Sequence, residues 1–297
     1  MSCKALWENK LLKIGDDLSA SYLSRLDEEG LLQQAREREH HGDAGGRGRE
    51  ETDRHFAFQF ANSAARVVYL CTDPVGLLAE ASNLVRQSFT DGRVLLIEVP
   101  CGAGAGAFGL LSALCEQRRA RALPTLPLSV DVLGGDISER ALEHFESLAE
   151  KLAPKWEAQC VDIELHTALW DVTDIRSSSR FIDRAVSLAE ECEQVFLLVS
   201  NFSDALENDS INESFQHFLS QFTGRMREPS SVCWVEPISN KSDRIISRFY
   251  AFLSRFLRAL QLSGKELTAR YHFFDPARSR QVRSGLRLLR AVQERLP

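Results

Sequence analysis

The chain has 297 residues, 44% of them hydrophobic and 26% charged, which supports a large core in one domain or in one domain with an extension. No apolar run approaches the roughly 18 residues that span a bilayer. The N-terminal MSCKALWENKLLKIGDD lacks the apolar core and cleavage site of a secretory signal, so no membrane role is expected and a cytoplasmic location follows by default. Net charge is −6, but Lys241 to Pro297 holds thirteen basic against four acidic residues, a net of +9, which leaves −15 elsewhere. That asymmetry fits an anionic partner such as RNA bound through the basic C-terminal segment, or simply a solvated helix face and a basic strand pair. The seven cysteines, at 3, 71, 101, 115, 160, 192 and 233, form no CxxC and no zinc or iron–sulfur spacing, so reduced packed thiols and no metal are expected.

Residues 1–41 read as helices, with Leu6, Leu11, Leu12, Ile14, Leu18, Leu23 and Leu26 at roughly helical spacing. The stretch 42–53, GDAGGRGREETD, is Gly-rich and charged and reads as a linker, so 1–60 is expected as a helical extension and 61–297 as the main domain. Arg54 to Leu70 predicts a helix with a buried face. Thr72-Asp73-Pro74 predicts a second one, capped by Asp73 and running to about Phe89.

Strand and helix then alternate. Strands are predicted at Val94–Val99, Ser129–Leu133, Ile163–Leu169, Gln194–Ser200 and Ser231–Val235. Helices are predicted at Ala105–Arg121, Ser138–Leu152, Ser179–Cys192, Ile211–Met226 and Asp243–Leu262, with a long connection over Ala122–Leu128. Leu267–Phe274 reads as a strand, and Gly285–Val292 reads either as its antiparallel partner or as a helix. Short apolar strands alternating with helices indicate a doubly wound α/β sheet, which binds ligands at the carboxyl ends of its strands.

One stretch carries chemistry. Val94 to Gly109, VLLIEVPCGAGAGAFG, is an apolar strand that ends in an acid and breaks into alternating glycines before a helix. Gly104 to Gly109 matches GxGxxG literally, a weak signal for a dinucleotide. Glu98 ends the strand where a pyrophosphate would meet a like charge, so the acid suits a ligand that carries a cation; its other use is to cap backbone amides of its own turn.

Glu98-Val-Pro100-Cys-Gly102-Ala-Gly104 resembles the first motif of the class I S-adenosylmethionine-dependent methyltransferases, an acid followed by alternating glycines, with Pro100 where the family has glycine. Proline fixes φ and removes an N–H, so the turn itself departs from the family's. Leu133-Gly-Gly-Asp136-Ile137-Ser138 is similar to the second motif, whose acid grips the ribose hydroxyls. The resemblance implies a mostly parallel, seven-stranded Rossmann-like sheet closed by an antiparallel hairpin. It also implies S-adenosyl-L-methionine as cofactor, held by Glu98, Pro100, Gly102, Gly104, Asp136 and Ile137. The implied cofactor-binding set also includes Asp171 and Val172, near the adenine, and Ser200 and Asn201 after the fourth strand, Asn201 being nearest the methyl acceptor.

The acceptor stays open among RNA, protein and small molecules. Ser200-Asn201-Phe202-Ser203 lacks the two prolines of the amine- and amide-methylating turn, and Pro100-Cys101 lies in the cofactor turn rather than at a nucleophile's place. Methyl transfer needs positioning more than a general base, so no catalytic residue is assigned. Two other readings stand beside the transferase: a methyltransferase-like binding or assembly protein without turnover, and, more weakly, an NAD(P)-binding oxidoreductase.

Overall fold

The computed structural model describes residues 3–37, 48–226, 230–238 and 262–293. Nine strands make one sheet: β1 (Trp7–Glu8), β2 (Leu11–Leu12), β3 (Gly92–Glu98), β4 (Leu128–Asp136), β5 (Val161–Leu169), β6 (Gln194–Ser200), β7 (Ser230–Pro237), β8 (Leu262–Asp275) and β9 (Arg280–Gln293). Their order is β1-β2-β8-β9-β7-β6-β3-β4-β5. Strands β3 to β7 are parallel and reverse direction of winding at β3, which pairs with both β4 and β6. β9 lies antiparallel between β7 and β8, so Gly285–Val292 is a strand and the closing hairpin is present.

The central strands read as unbroken apolar runs because both faces are covered. Val94, Leu96, Val130, Val132, Phe196 and Leu198 enter one core, under α3 (Arg49–Thr72), α5 (Ala105–Arg119) and α6 (Glu139–Glu157). Leu95, Ile97, Leu133, Leu197 and Val199 enter the other, under α7 (Ile175–Ala189) and α8 (Asp209–Arg225). Gly134 and Gly135 in β4 admit this close covering: a Cβ would stand 2.3 Å from the Phe145 ring at the first and 2.6 Å from the Phe181 ring at the second.

Among the described residues the sheet has nine strands rather than seven, because part of the expected helical N-terminus is strand. Asn9 and Lys10 take positive φ and turn β1 onto β2, and β2 then pairs in parallel with the outer edge of β8 at His272 and Phe273. Leu6, Leu12 and Ile14 are buried by that docking, so their spacing reflects a sheet edge rather than a helix. Helices follow at α1 (Asp16–Glu28) and α2 (Leu32–Arg36).

α3 runs without a break through 60/61, and its first turn, Arg49–Asp53, occupies the end of the expected linker. That turn is helical because Asp53 is fastened at a distance: it accepts from Arg140 Nε at 2.6 Å and bonds His144 Nε2 at 2.8 Å. Asp73 ends α3 in the left-handed region, φ 37°, instead of starting a helix. Its carboxylate accepts from Leu78 N–H, and the next helix, α4 (Ala79–Ser88), begins only after it. The long connection before β4 is stapled by Arg118, which donates to the carbonyls of Thr90, Leu126, Gln159 and Cys160. The predicted helix Asp243–Leu262, with Arg244, Arg248 and Arg255, lies outside the described residues except at its last position.

Candidate functional site

The winding reversal places the ends of β3, β4 and β6 side by side, and the expected residues gather there. Between β3 and α5 the chain turns through Val99–Pro100, joined by a cis peptide, and then Gly102 and Gly104, both at positive φ (51° and 80°). Cys101 N–H donates to the Gly135 carbonyl at 2.9 Å and Gly102 N–H to Asp136 Oδ2 at 2.9 Å, so the turn is tied to the end of the neighbouring strand. Proline at position 100 is accommodated in this tie, since the amides that make it belong to 101 and 102.

Glu98 does not face the open side of the turn. It lies beneath α5, wholly buried, and accepts from Gly106 N–H at 3.0 Å, Ala107 N–H at 2.9 Å and Ser200 Oγ at 3.2 Å. Burial pushes its carboxyl up to about 8, against the pull of those three donors. The acid therefore caps the helix N-terminus and takes the amides that an anionic ligand would need.

The literal GxGxxG is likewise spent on packing. A Cβ at Gly104 would lie 2.0 Å from Phe145, at Gly106 2.3 Å from Glu98 Oε1, and at Gly109 2.9 Å from the Ala64 carbonyl of the crossing α3. Each of the three is accounted for by packing within the chain, so the literal match adds nothing for a dinucleotide. Gly102 is different: nothing lies within 4 Å of where its Cβ would be.

Asp136 sits beside Gly102 at the end of β4. Its Oδ1 accepts from Ser138 N–H at 2.9 Å, and burial raises its carboxyl while the amides of Ser138, Gly102 and Ile137 oppose the rise. Ile137 next to it is 37% exposed, and Leu169, which pairs with Asp136 across the sheet, is 53% exposed. Two large apolar side chains are thus left partly in water at adjoining strand ends. They edge a hollow of about 370 Å³ bounded also by Arg49, Glu139, Arg140 and Glu143. Its far wall is cross-linked, since Arg140 reaches Glu29, Asp53 and Glu143 together.

The other expected residues divide. Asp171 lies on the turn after β5, where its Oδ1 accepts from Thr173 N–H and Oγ1, while Val172 points into the core. Ser200 is buried against Glu98. Asn201 takes φ 55° after β6, and its Oδ1 accepts from Arg66 of α3. Glu236, at the end of β7, is buried and accepts from the amides of Phe202 and Ser203 and from Trp234 Nε1, which fixes the turn that carries Asn201. Leu169 and Arg66 were not among the expected residues. The last residue of the third strand was a readable signal for Leu169, whereas nothing local marks Arg66.

Five parallel strands in the order third-second-first-fourth-fifth, an antiparallel strand beside the fifth, a glycine turn at the reversal and an acid ending the second strand are now all in place. The fold is that of the class I methyltransferases. No protein-family profile matches the chain, and no curated protein matches it in sequence. Among solved structures it is similar to an rRNA methylase from Streptococcus thermophilus, with 10% identity, 74% of this chain and 97% of that one covered, and a TM-score of 0.38. A precorrin-6y C5,15-methyltransferase from Geobacter metallireducens matches at 10% identity, covering 72% and 87%, with a TM-score of 0.37. A protein described in the conversion of a disulfide bond into a thioacetal group during echinomycin biosynthesis matches at 16% identity, covering 71% and 80%, with a TM-score of 0.38. At these values the likenesses add no weight, and the strand order carries the fold.

Proposed function

We propose that this chain binds S-adenosylmethionine at the ends of β3 and β4 and transfers its methyl group. The observation that carries the reading is the Gly102–Asp136 pair, an open backbone position bonded to the acid that ends the second strand, beside exposed Ile137 and Leu169. The residues fit the nucleoside half of that cofactor. Asp136 offers a carboxylate to a ribose cis-diol, and Ile137 and Leu169 offer apolar contact to a ring. Glu98, beneath α5, is not available to its ammonium. When bound, the cofactor supplies an electrophilic methyl on a sulfonium. The chain's own part is to position and to exclude water, with Asn201 held by Arg66 on the acceptor side.

A second reading, a binding protein without turnover, has its own support. The oxygens of Glu98 and Asp136 already have backbone donors, so neither acid requires a ligand to be satisfied. Calorimetric titration with S-adenosylhomocysteine and with NAD tests both readings. Heat with the first only, lost in Asp136→Ala, is expected; no heat, or equal affinity in the variant, sinks the cofactor assignment. Release of labelled methyl to RNA, protein or small-molecule pools then separates transferase from binding protein.

A further inference from the structure

The closing hairpin is longer than the sheet it closes. β7 ends at Pro237 opposite Leu286, while β8 and β9 stay paired as far as Asp275 and Arg280. Six further residues at about 3.3 Å each carry an arm roughly 20 Å past the end of β7. β8 runs parallel to β7, so the tip rises from the carboxyl edge of the sheet, the edge that holds the candidate site.

The arm is braced on its inner face. Ala269, Tyr271 and Phe273 are buried there, Tyr271 stacks on Tyr69 of α3 at 4.3 Å, and Ser284 donates to Asn62 at 2.7 Å. β2 pairs along its outer edge, and Arg278 donates to the Ala35 carbonyl near the tip. The N-terminal strands and helices thus hold the arm upright.

Its outer face is built differently. Arg270, His272 and Phe274 of β8 and Gln281 and Arg283 of β9 are all exposed, and the register sets Phe274 opposite Gln281 and His272 opposite Arg283. The sole acid between Thr268 and Arg287 is Asp275, which is turned inward, buried, and bonded to the amides of Ala277 and Arg278. It leaves the exposed arginines without a neutralising acid on the arm itself. Phe274 is 38% exposed, so part of its ring meets water among those arginines.

We propose that this outer face docks single-stranded RNA, with Phe274 against an unstacked base and Arg270 and Arg283 on phosphates. A paired helix would offer the ring no base face, which favours a single strand. His272 and Gln281 beside the ring carry hydrogen-bonding groups suited to a ribose 2′-hydroxyl, which DNA lacks. The proposal concerns the arm alone and holds whether or not the site below turns over.

Fluorescence anisotropy of a labelled mixed-sequence 12-nucleotide RNA with the full chain tests it. Wild type binds the RNA, and Phe274→Ala weakens binding by roughly 5- to 150-fold, the range of one base stack. Replacing Arg270 or Arg283 by Gln lowers the slope of log affinity against log salt by about 0.7 for each phosphate that the arginine neutralises. Reversing exposed Arg176 and Arg180 on α7 leaves binding in place. Because the replaced side chains are exposed, the variants melt with wild type, which the same samples verify. Absence of RNA binding by wild type, an unaffected Phe274→Ala, equal loss from the α7 reversal, or equal affinity for the matching DNA or an RNA duplex each overturns the proposal.

Discussion

Replacing Glu98 by Leu separates a structural acid from a ligand-binding one. The substitution keeps most of the volume and removes both oxygens, so the amides of Gly106 and Ala107 lose their acceptor in a dry site. Each orphaned buried donor costs about 1–3 kcal/mol, which makes roughly 2–6 kcal/mol for the pair. Against a typical stability of about 5–15 kcal/mol this is severe but survivable, and in a domain of this size it lowers the melting temperature by roughly 10 °C. Thermal and urea unfolding measure the loss, and calorimetry on the still-folded variant measures ligand affinity, expected within about fivefold of wild type for S-adenosylhomocysteine. Titration adds a signature. A carboxyl raised from 4.5 to about 8 in the folded chain contributes stability that is complete below its unfolded value and is lost progressively as pH rises to 8, so the gap between wild type and the Glu98→Leu variant narrows over that range and levels off above it. A variant that melts with wild type yet no longer binds the ligand would refute the helix-capping account.

Three further outcomes follow from the packing. Gly102→Ala, at φ 51° but in open space, costs only about 1 kcal/mol of stability while weakening S-adenosylhomocysteine binding; Gly104→Ala, which drives a methyl into Phe145, is expected to cost roughly 3 kcal/mol or more in urea unfolding. Arg118→Met strips four carbonyls of their shared donor and shifts the urea midpoint by an amount equivalent to roughly 3 kcal/mol, and Arg118→Lys does not restore it because an ammonium lacks the guanidinium fork. His144 accepts from Arg25 Nε on Nδ1 and bonds Asp53 through Nε2, which fits a neutral ring, and burial pushes its pKa down to about 4. The unfolded chain therefore binds the extra proton, and stability falls by about 2–3 kcal/mol as pH drops from about 6.5 to 4, a slope that His144→Gln removes.

Much of the frame is legible in the chain. The five parallel strands, the helices between them and the hairpin appear as apolar runs, turns and caps, and Asn201, Asp136 and Ile137 fall at strand ends that reading located. The N-terminal strands do not appear so, because Leu11 and Leu12 acquire strand character only by pairing with His272 and Phe273, far along the chain. The same separation hides Arg66, whose place beside Asn201 depends on how α3 crosses the sheet.

The sequence by itself determined that a glycine turn would meet an acid on the next strand at the reversal of a doubly wound sheet, since strand period, turn chemistry and the order of elements are local properties. Only the tertiary structure decided which way each group faces. Gly104, Gly106 and Gly109 are glycine because Phe145, Glu98 and Ala64 fill the space a Cβ would need, and Glu98 turns inward because the amides of α5 lie beneath the strand end. A missing side chain records only that something comes close. What comes close is set by atoms brought in from elsewhere in the chain, and at Gly102, in the same turn, none of them does.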